Sequence, residues 1–291
     1  MQVLLIRNDR SGSAGQVDLA ATLAERGCTV TTASIEDAAG WIAEPQPPKR
    51  LRRTQRVVVA GGDGSVGVGA ALAHALDVPL GVVPAGTAND FARILGLPED
   101  HEQACILAVT GDRLRDIDLG DANGQPFVNV ASLGLAPAAA DAADGLKRRV
   151  GAFAYPLGAL VAAIRTRPVT IAATVDGVEV HNGRAWQAMV ASTGAFGGWA
   201  SIDTARDGDG QLDLVLIPAE RGTHRLVFDA ASLMRGDLAT REGVLHVRGR
   251  EIILRSRHRS TRAVVDGELV DIDGRLLTAT VHQRPVRVVV G

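Results

Sequence analysis

The chain has 291 residues, of which 46% are hydrophobic and 22% are charged, so it can form the core of two ordinary globular domains. The formal net charge is −2, so no global positive field favours nucleic acid as a partner. Lys49 and Lys147 are the only lysines, and neither lies in a P-loop or in the lysine-bearing strand of protein kinases. Both of those mechanisms need a lysine on the phosphates and are therefore disfavoured.

The cysteines and the apolar runs disfavour further classes of protein. Cys28 and Cys105 are too few for a disulfide scaffold and have no zinc-binding spacing, so we expect reduced thiols in a cytosolic protein. The apolar stretch 3–6 is too short for the core of a signal peptide. The apolar runs elsewhere fall well short of the ~20 residues that a membrane-spanning helix needs.

The first third of the chain alternates strand-like and helix-like segments. Apolar or β-branched runs predict strands at 3–6, 28–33, 56–60 and 79–83. Helical spacing predicts helices at 15–26 and 65–76, with another helix after the fourth strand. The proline-rich, basic stretch 44–55 predicts a surface connection. Strands that alternate with helices are typical of a parallel sheet with right-handed crossovers.

The pattern changes near residue 121, after which strands dominate. Further strands are predicted at 125–134, 169–175, 178–180, 186–192, 212–217, 251–257, 262–265 and 286–290. Asp176-Gly177 between two of them is a hairpin signal, and helices are predicted within 145–165 and over 223–236. The sequence therefore predicts an α/β plus β architecture. A Rossmann-like nucleotide-binding domain over residues 1–121 would be followed by a mainly antiparallel β-rich domain over residues 122–291, with the active site between them.

A glycine-rich loop joins the third strand to the next helix. Its candidate ligand-binding residues are Gly61, Gly62, Asp63, Gly64 and Ser65. Glycines let a ligand approach the backbone closely, and the N–H groups at the start of the following helix favour phosphate. A carboxylate at Asp63 makes sense beside phosphates if Mg²⁺ lies between them. The alternative is a structural turn in which Asp63 or Ser65 caps the helix.

A second loop of the same construction follows the fourth strand. It reads PAGTAND over residues 84–90, and its candidate ligand-binding residues are Gly86, Thr87, Asn89 and Asp90. Ligands of open parallel sheets bind outside the carboxyl ends of the strands, so two such loops on neighbouring strands would line one nucleotide site. The alternative is that Asn89 and Asp90 only cap the next helix.

The two loops together resemble a known family. GGDGS at 61–65 followed by PAGTANDFAR at 84–93 is similar to the diacylglycerol kinase catalytic family, which includes bacterial lipid kinases and sphingosine kinases and is related to NAD kinases. Later family elements follow in the expected order: Phe127-x-Asn129-x-x-Ser132-x-Gly134, Gly151-x-x-x-Tyr155, Gly197-Gly198, Asp209-Gly210-x-Leu212-Asp213 and Val265-Asp266-Gly267-Glu268. The resemblance covers nearly the whole chain. It departs from the family pattern at Asp9 and at Asp203, where prolines are usual.

The resemblance implies an ATP- and Mg²⁺-dependent kinase that phosphorylates a hydroxyl of diacylglycerol or a related lipid. ATP phosphates would lie on Asn8 and the two glycine loops. Asp266 would accept the proton of the lipid hydroxyl, and Glu268 would position the base or the metal. Asp63 would contact the metal, and Asp209 with Asp213 would form a second, structural Mg²⁺ site. Without the resemblance, Asp266-Gly267 is a hairpin signal like Asp176-Gly177.

A lipid substrate with a free hydroxyl requires contact with a membrane. Arg255, Arg257 and Arg259 alternate and would share one face of a strand, where they could meet an anionic membrane surface transiently. The alternative is an edge strand protected by charge. We therefore expect a cytoplasmic protein peripheral to the membrane, and a homodimer is compatible with the sequence.

Two rival functions remain open at this point. One is an NAD kinase-like enzyme or another small-molecule kinase on the same fold. The other is a non-catalytic nucleotide-binding regulator that has kept the loops.

Overall fold

The computed structural model of the protein describes residues 1–8, 18–134, 167–193, 208–221, 238–240, 242–257, 261–272 and 275–291. The chain divides into a first unit, Met1–Leu119 with Gln283–Gly291, and a second unit, Gly120–His282. The predicted boundary lies two residues later, and residues 283–291 were predicted in the second domain. Each unit is built around its own β-sheet.

The sheet of the first unit is parallel except at one edge. Its strands are β1 (Gln2–Arg7), β2 (Thr29–Ser34), β3 (Arg56–Gly61), β4 (Leu80–Pro84), β5 (Arg113–Ile117) and β17 (Val286–Val290). They lie in the order β2-β1-β3-β4-β17-β5, and only β5 runs antiparallel to its neighbour. The last strand of the chain joins this sheet because its valines find buried positions beside β4 and β5.

Helices connect the parallel strands of the first unit. They are α1 (Leu19–Glu25), α2 (Ile35–Ala43), α3 (Asp63–Leu76), α4 (Asp90–Ile94) and α5 (His101–Thr110). The sequence reading missed α2 and α5, although each begins at a side-chain cap. Ser34 and Asp37 form a capping box before α2, and Asp100 accepts the N–H of Gln103 before α5. The basic stretch 49–53 forms a 3₁₀ turn.

The helices of the first unit cover both faces of its sheet. On one face, α1 and α5 bury Leu19, Leu23 and Cys105 against alternate residues of β1 and β3. On the other, Gly69 of α3 lies so close to Val59 that an added Cβ would stand 2.9 Å from the valine Cβ. A sheet covered on both faces explains why its strands read as continuous apolar runs.

The second unit contains an antiparallel sheet. Its described strands are β6 (Gly120–Ala122), β7 (Gln125–Phe127), β8 (Val130–Gly134), β9 (Val169–Val175), β10 (Val178–Ala191), β11 (Leu212–Pro218), β12 (Leu245–Gly249), β13 (Glu251–Ser256), β14 (Thr261–Val265), β15 (Glu268–Ile272) and β16 (Leu276–Val281). Their order is β15-β14-β8-β10-β9-β13-β16-β6-β7, and β11 pairs with β10 and β12. Predicted strands 178–180 and 186–192 are parts of the single strand β10. Predicted helices 145–165 and 223–236 lie outside the described residues.

The inner face of the second sheet carries an aliphatic core. Alternate residues of β9, β10, β13 and β16 point into it, among them Ile171, Ala188, Leu254 and Leu277. The predicted fold class is therefore confirmed: a Rossmann-like α/β unit and a mainly antiparallel β-rich unit.

Candidate functional site

Asn8 and the two glycine loops meet at the carboxyl ends of β1, β3 and β4, which are neighbours in the first sheet. Asn8 follows β1, and its side-chain Nδ2 donates to Oγ of Ser65, in the glycine-rich loop after β3, at 2.9 Å. The backbone N–H of Ala85, in the second loop after β4, donates to the carbonyl of Gly61 at 3.0 Å. The structure thus brings together the three segments in which nucleotide-binding residues were predicted.

Glycines are required where the two longer loops approach each other. An added Cβ on Gly86 would lie 2.5 Å from Cα of Gly62, and one on Gly61 would lie 2.6 Å from Cβ of Ser65. Neither contact is possible between real atoms, so a side chain is excluded at Gly86 by the backbone of Gly62 and at Gly61 by the side chain of Ser65. The backbone at Gly61, Gly62 and Gly86 therefore carries no side chain of its own at the end of the sheet.

The start of α3 is suited to an anion. Gly62 is its N-cap residue, so no side chain caps the helix. The first intrahelical bond runs from the N–H of Val66 to the carbonyl of Gly62 at 3.0 Å. The N–H groups of the first turn therefore point out of the helix, where they can bind phosphate oxygens.

Asp63 ties the two glycine loops together. Its carboxylate accepts the N–H of Phe91 at 2.9 Å and that of Asp90 at 3.2 Å, which caps α4 from the neighbouring loop. Asn89 closes the second loop on itself: it lies at a left-handed φ of 49° and exchanges two hydrogen bonds with the backbone of Gly86, at 2.8 and 3.1 Å. The shape of each loop therefore depends on the other.

The remaining predicted nucleotide residues differ in exposure. Asp90 is only 4% exposed and pairs with Arg93, whose Nη2 lies 2.6 Å from its carboxylate. Thr87 is exposed at the tip of the loop, and Gly64 is half-buried in the first turn of α3. Arg93 was not predicted as a site residue, although its position three residues after Asp90 on a helix is a sequence signal for such a pair.

Asp266 lies in the turn between β14 and β15 and is 8% exposed. Its carboxylate accepts three backbone N–H groups where the chain enters β8, from Val128 at 2.8 Å, Asn129 at 3.0 Å and Val130 at 2.9 Å. These bonds use both carboxylate oxygens. Glu268, the second predicted catalytic residue, is exposed at the start of β15. The catalytic roles of both residues stay predictions.

The predicted metal ligands Asp209 and Asp213 lie near each other but have a cation between them. Arg248 donates to both carboxylates, and His246 lies 2.5 Å from Asp213. Over the described ranges, no group of three or more His, Cys, Asp and Glu side chains could hold a metal ion. The sequence placed Arg248 only in a basic run near its end, and nothing local predicts that Arg248 or His246 contacts these aspartates.

The predicted membrane-facing arginines fall on β13 and just after it. Arg255 and Arg257 are both exposed, and Arg259 lies outside the described residues. Among the residues that the structure describes, no helix is long and apolar enough to cross a membrane.

Comparison with known proteins matches both units. The family model of the diacylglycerol kinase catalytic domain matches residues 2–122, and that of the YegS C-terminal NAD kinase beta sandwich-like domain matches residues 129–288. A diacylglycerol kinase from Mycobacterium tuberculosis is 32% identical over 67% of this chain and 67% of its own length. One from Bacillus subtilis is 29% identical over 84% of this chain and 78% of its own length.

Solved structures show the same fold. A diacylglycerol kinase from Bacillus anthracis superposes with a TM-score of 0.67 at 21% identity, covering 100% of this chain and 97% of the other. An NAD kinase from Archaeoglobus fulgidus in complex with ATP gives a TM-score of 0.51 at 18% identity, covering 99% and 93%. At these identities the likeness concerns the fold alone.

Proposed function

Because the chain belongs to the diacylglycerol kinase family of lipid kinases, we propose that it transfers the γ-phosphate of ATP to a hydroxyl of diacylglycerol or a related lipid. The observation that carries this proposal is the pair of interlocked glycine loops. The glycines leave the loop backbone open to a ligand, and no side chain caps the start of α3. Asp63 holds the two loops together, so the N–H groups form a preformed phosphate-binding site. Phosphoryl transfer depends mainly on such positioning and on neutralisation of charge.

Mg²⁺ fits this site as a companion of the phosphates. The described loops offer the carboxylate of Asp63 beside the N-terminus of α3, whereas that of Asp90 is buried and paired with Arg93. Each oxygen of Asp63 accepts one of the two backbone N–H groups, and a carboxylate oxygen has two acceptor positions, so a cation can share it. Mg²⁺ is commonly held by one or two carboxylates together with substrate phosphates. When bound, it would neutralise charge on the transferred phosphoryl group. Asp63 also holds the second loop, so its substitution would alter both the metal's surroundings and the loop.

The geometry of the Asp266 turn favours Glu268 as the proton acceptor. A general base needs a lone pair directed at the substrate hydroxyl, whereas Asp266 is buried and three backbone N–H groups already occupy most of its roughly four acceptor positions. Glu268 is exposed and lies two residues further on. In this division of roles, Asp266 fixes the turn and Glu268 takes the proton as the hydroxyl oxygen attacks the γ-phosphorus, giving ADP and the phosphorylated lipid.

The exposed arginines of the second unit would bring the enzyme to its substrate. Arg255 projects from the face of β13 opposite to the buried Ile252 and Leu254, and Arg257 is exposed directly after the strand. Each basic residue near an anionic membrane contributes about 1 kcal/mol of attraction. We propose transient, salt-sensitive contact with such a surface.

The direct test is Mg²⁺-dependent transfer of labelled phosphate from ATP to diacylglycerol, a sphingoid base, phosphatidylglycerol and NAD. We expect labelling of a lipid. The loop variant Gly86→Ala should reduce transfer on the order of a hundredfold, because the added Cβ displaces the backbone of Gly62. The matched control is Gly40→Ala in α2, where an added Cβ meets nothing within 4 Å.

The rival functions predict different results in the same assay. Labelling of NAD without any lipid would identify the small-molecule kinase. Mg·ATP binding without transfer to any acceptor would indicate a regulator.

A further inference from the structure

Every carboxylate oxygen of Asp209 and Asp213 has a protein partner. Oδ1 of Asp209 accepts the backbone N–H of Gln211 at 3.1 Å, and its Oδ2 accepts Nη2 of Arg248. Oδ1 of Asp213 lies 2.5 Å from Nε2 of His246, and its Oδ2 accepts Nε of Arg248 at 3.4 Å. One guanidinium therefore bridges the two residues that the family resemblance assigns to a structural metal.

The β11–β12 ladder fixes this arrangement. Asp213 and Arg248 are directly opposite each other in the register, and His246 lies two residues before Arg248 on the same strand. Residues opposite each other or on the diagonal of an antiparallel pair have side chains within reach on one face. The pairing of β11 with β12 therefore positions the Arg248 guanidinium beside Asp213.

Burial makes a positive partner necessary. Asp213 is 0% exposed, and a buried carboxylate without a compensating charge or hydrogen bonds is strongly unfavourable. Burial of Arg248 opposes its charge, but its hydrogen bonds and attraction to Asp209 and Asp213 outweigh this and raise the pKa of the guanidinium. An arginine stays protonated at any ordinary pH, so its charge is permanent.

We propose that Arg248 takes the place of a divalent cation at this cluster, so that the second unit of this protein is stable without a structural Mg²⁺. The donor set does not suit the metal. Mg²⁺ requires near-octahedral oxygen ligands, whereas Oδ2 of both aspartates faces a guanidinium whose positive charge would repel a second cation. The proposal concerns folding and is independent of the proposed kinase activity.

The experiment is thermal unfolding of the full chain without nucleotide or lipid, in EDTA and in excess Mg²⁺. The wild-type protein should melt at the same temperature in both. Arg248→Met should melt roughly 5–10 °C lower in EDTA, because it leaves a buried carboxylate without its cation. Mg²⁺ should restore part of that loss in this variant alone, since removal of the guanidinium frees Oδ2 of Asp209 and of Asp213 for a cation, and binding to the folded state stabilises it.

The matched control is Arg250→Met. Arg250 is exposed two residues further along, and its backbone bonds do not involve its side chain. This variant should resemble the wild type in both buffers.

A second measurement does not depend on the folding of Arg248→Met. Elemental analysis of the wild-type chain after gel filtration in Mg²⁺ should find no stoichiometric bound metal. Stoichiometric metal that is lost in Asp209→Asn would overturn the proposal. So would a wild-type melting temperature that falls in EDTA and loses this dependence in Asp209→Asn.

Discussion

The hairpin turns at Asp176-Gly177 and Asp266-Gly267 have the same local structure but different surroundings. Asp176 and Gly177 have φ of 47° and 81°, and Asp266 and Gly267 have φ of 44° and 85°. Positive φ at both central residues is the type I′ geometry that joins two antiparallel strands tightly. The dipeptide therefore dictates the turn in both places and says nothing about function.

Both aspartates also bind a neighbouring segment, though to different extents. Oδ1 of Asp176 accepts the N–H groups of Arg250 and Glu251, each at 2.9 Å, and the residue is exposed. Asp266 is buried and accepts three N–H groups through both oxygens. Asp176 therefore accepts both N–H groups through one carboxylate oxygen, whereas Asp266 uses both of its oxygens and holds its turn against the 128–130 segment. Of the two turns, only the one at Asp266 is followed by a glutamate two residues after the aspartate.

The largest expected effect is a loss of phosphoryl-transfer activity, which should follow a substitution beside the Asp266 turn but not one beside the Asp176 turn. Glu268→Gln should lower single-turnover phosphoryl transfer by roughly 10²–10⁴-fold, because the amide cannot accept the proton. Its melting temperature should hold, since Glu268 is exposed. Glu179→Gln beside the other turn is the control and should transfer at the wild-type rate. A normal rate in Glu268→Gln would return the role of base to Asp266.

The next effect is on stability and follows from the hydrogen bonds. Asp266→Asn keeps one acceptor oxygen, so a buried N–H of the 128–130 segment must face an amide donor. Losing a buried partner costs about 1–3 kcal/mol. We expect this loss in chemical denaturation, and an unchanged midpoint would show that the third bond is weak in solution.

A smaller loss of stability should be equal at the two turns when the glycine of each turn is replaced by alanine. Gly177→Ala and Gly267→Ala each force a side chain into a left-handed conformation, at about 1–2 kcal/mol, while an added Cβ meets nothing within 4 Å at either site. Equal shifts of the unfolding midpoint would confirm that the turns are locally equivalent. A much larger loss at Gly267 would contradict that equivalence.

The smallest effect is expected for Asp176→Asn. Both of its backbone bonds fall on one oxygen, which the amide retains, so the free energy of unfolding should stay within about 0.5 kcal/mol of wild type. Comparing its denaturation midpoint with that of Asp266→Asn isolates the contribution of the second oxygen. Equal losses in the two variants would show that this oxygen contributes nothing.

Sequence reading was most successful where structure is local. The strands 169–175 and 286–290 were predicted to the residue, and the loops after β3 and β4 were placed correctly between strand and helix. It missed α2, whose Ser34–Asp37 capping box was a readable signal, and it split β10, whose β-bulges interrupt the alternation of side chains. The predicted nucleotide residues do meet at one end of the sheet, while their roles stay predictions.

The amino-acid sequence by itself determined the alternation of strands and helices, the type I′ turns and the bare glycine loops, because period, propensity and backbone freedom act within a few residues. Only the tertiary structure decided that Val286–Val290 completes the first sheet, that Asp63 caps α4, and that Arg248 lies between Asp209 and Asp213. Each of these contacts joins residues far apart in the chain. An apolar run or a single charge does not encode its partner, which is selected by strand pairing and by the need to satisfy buried polar groups.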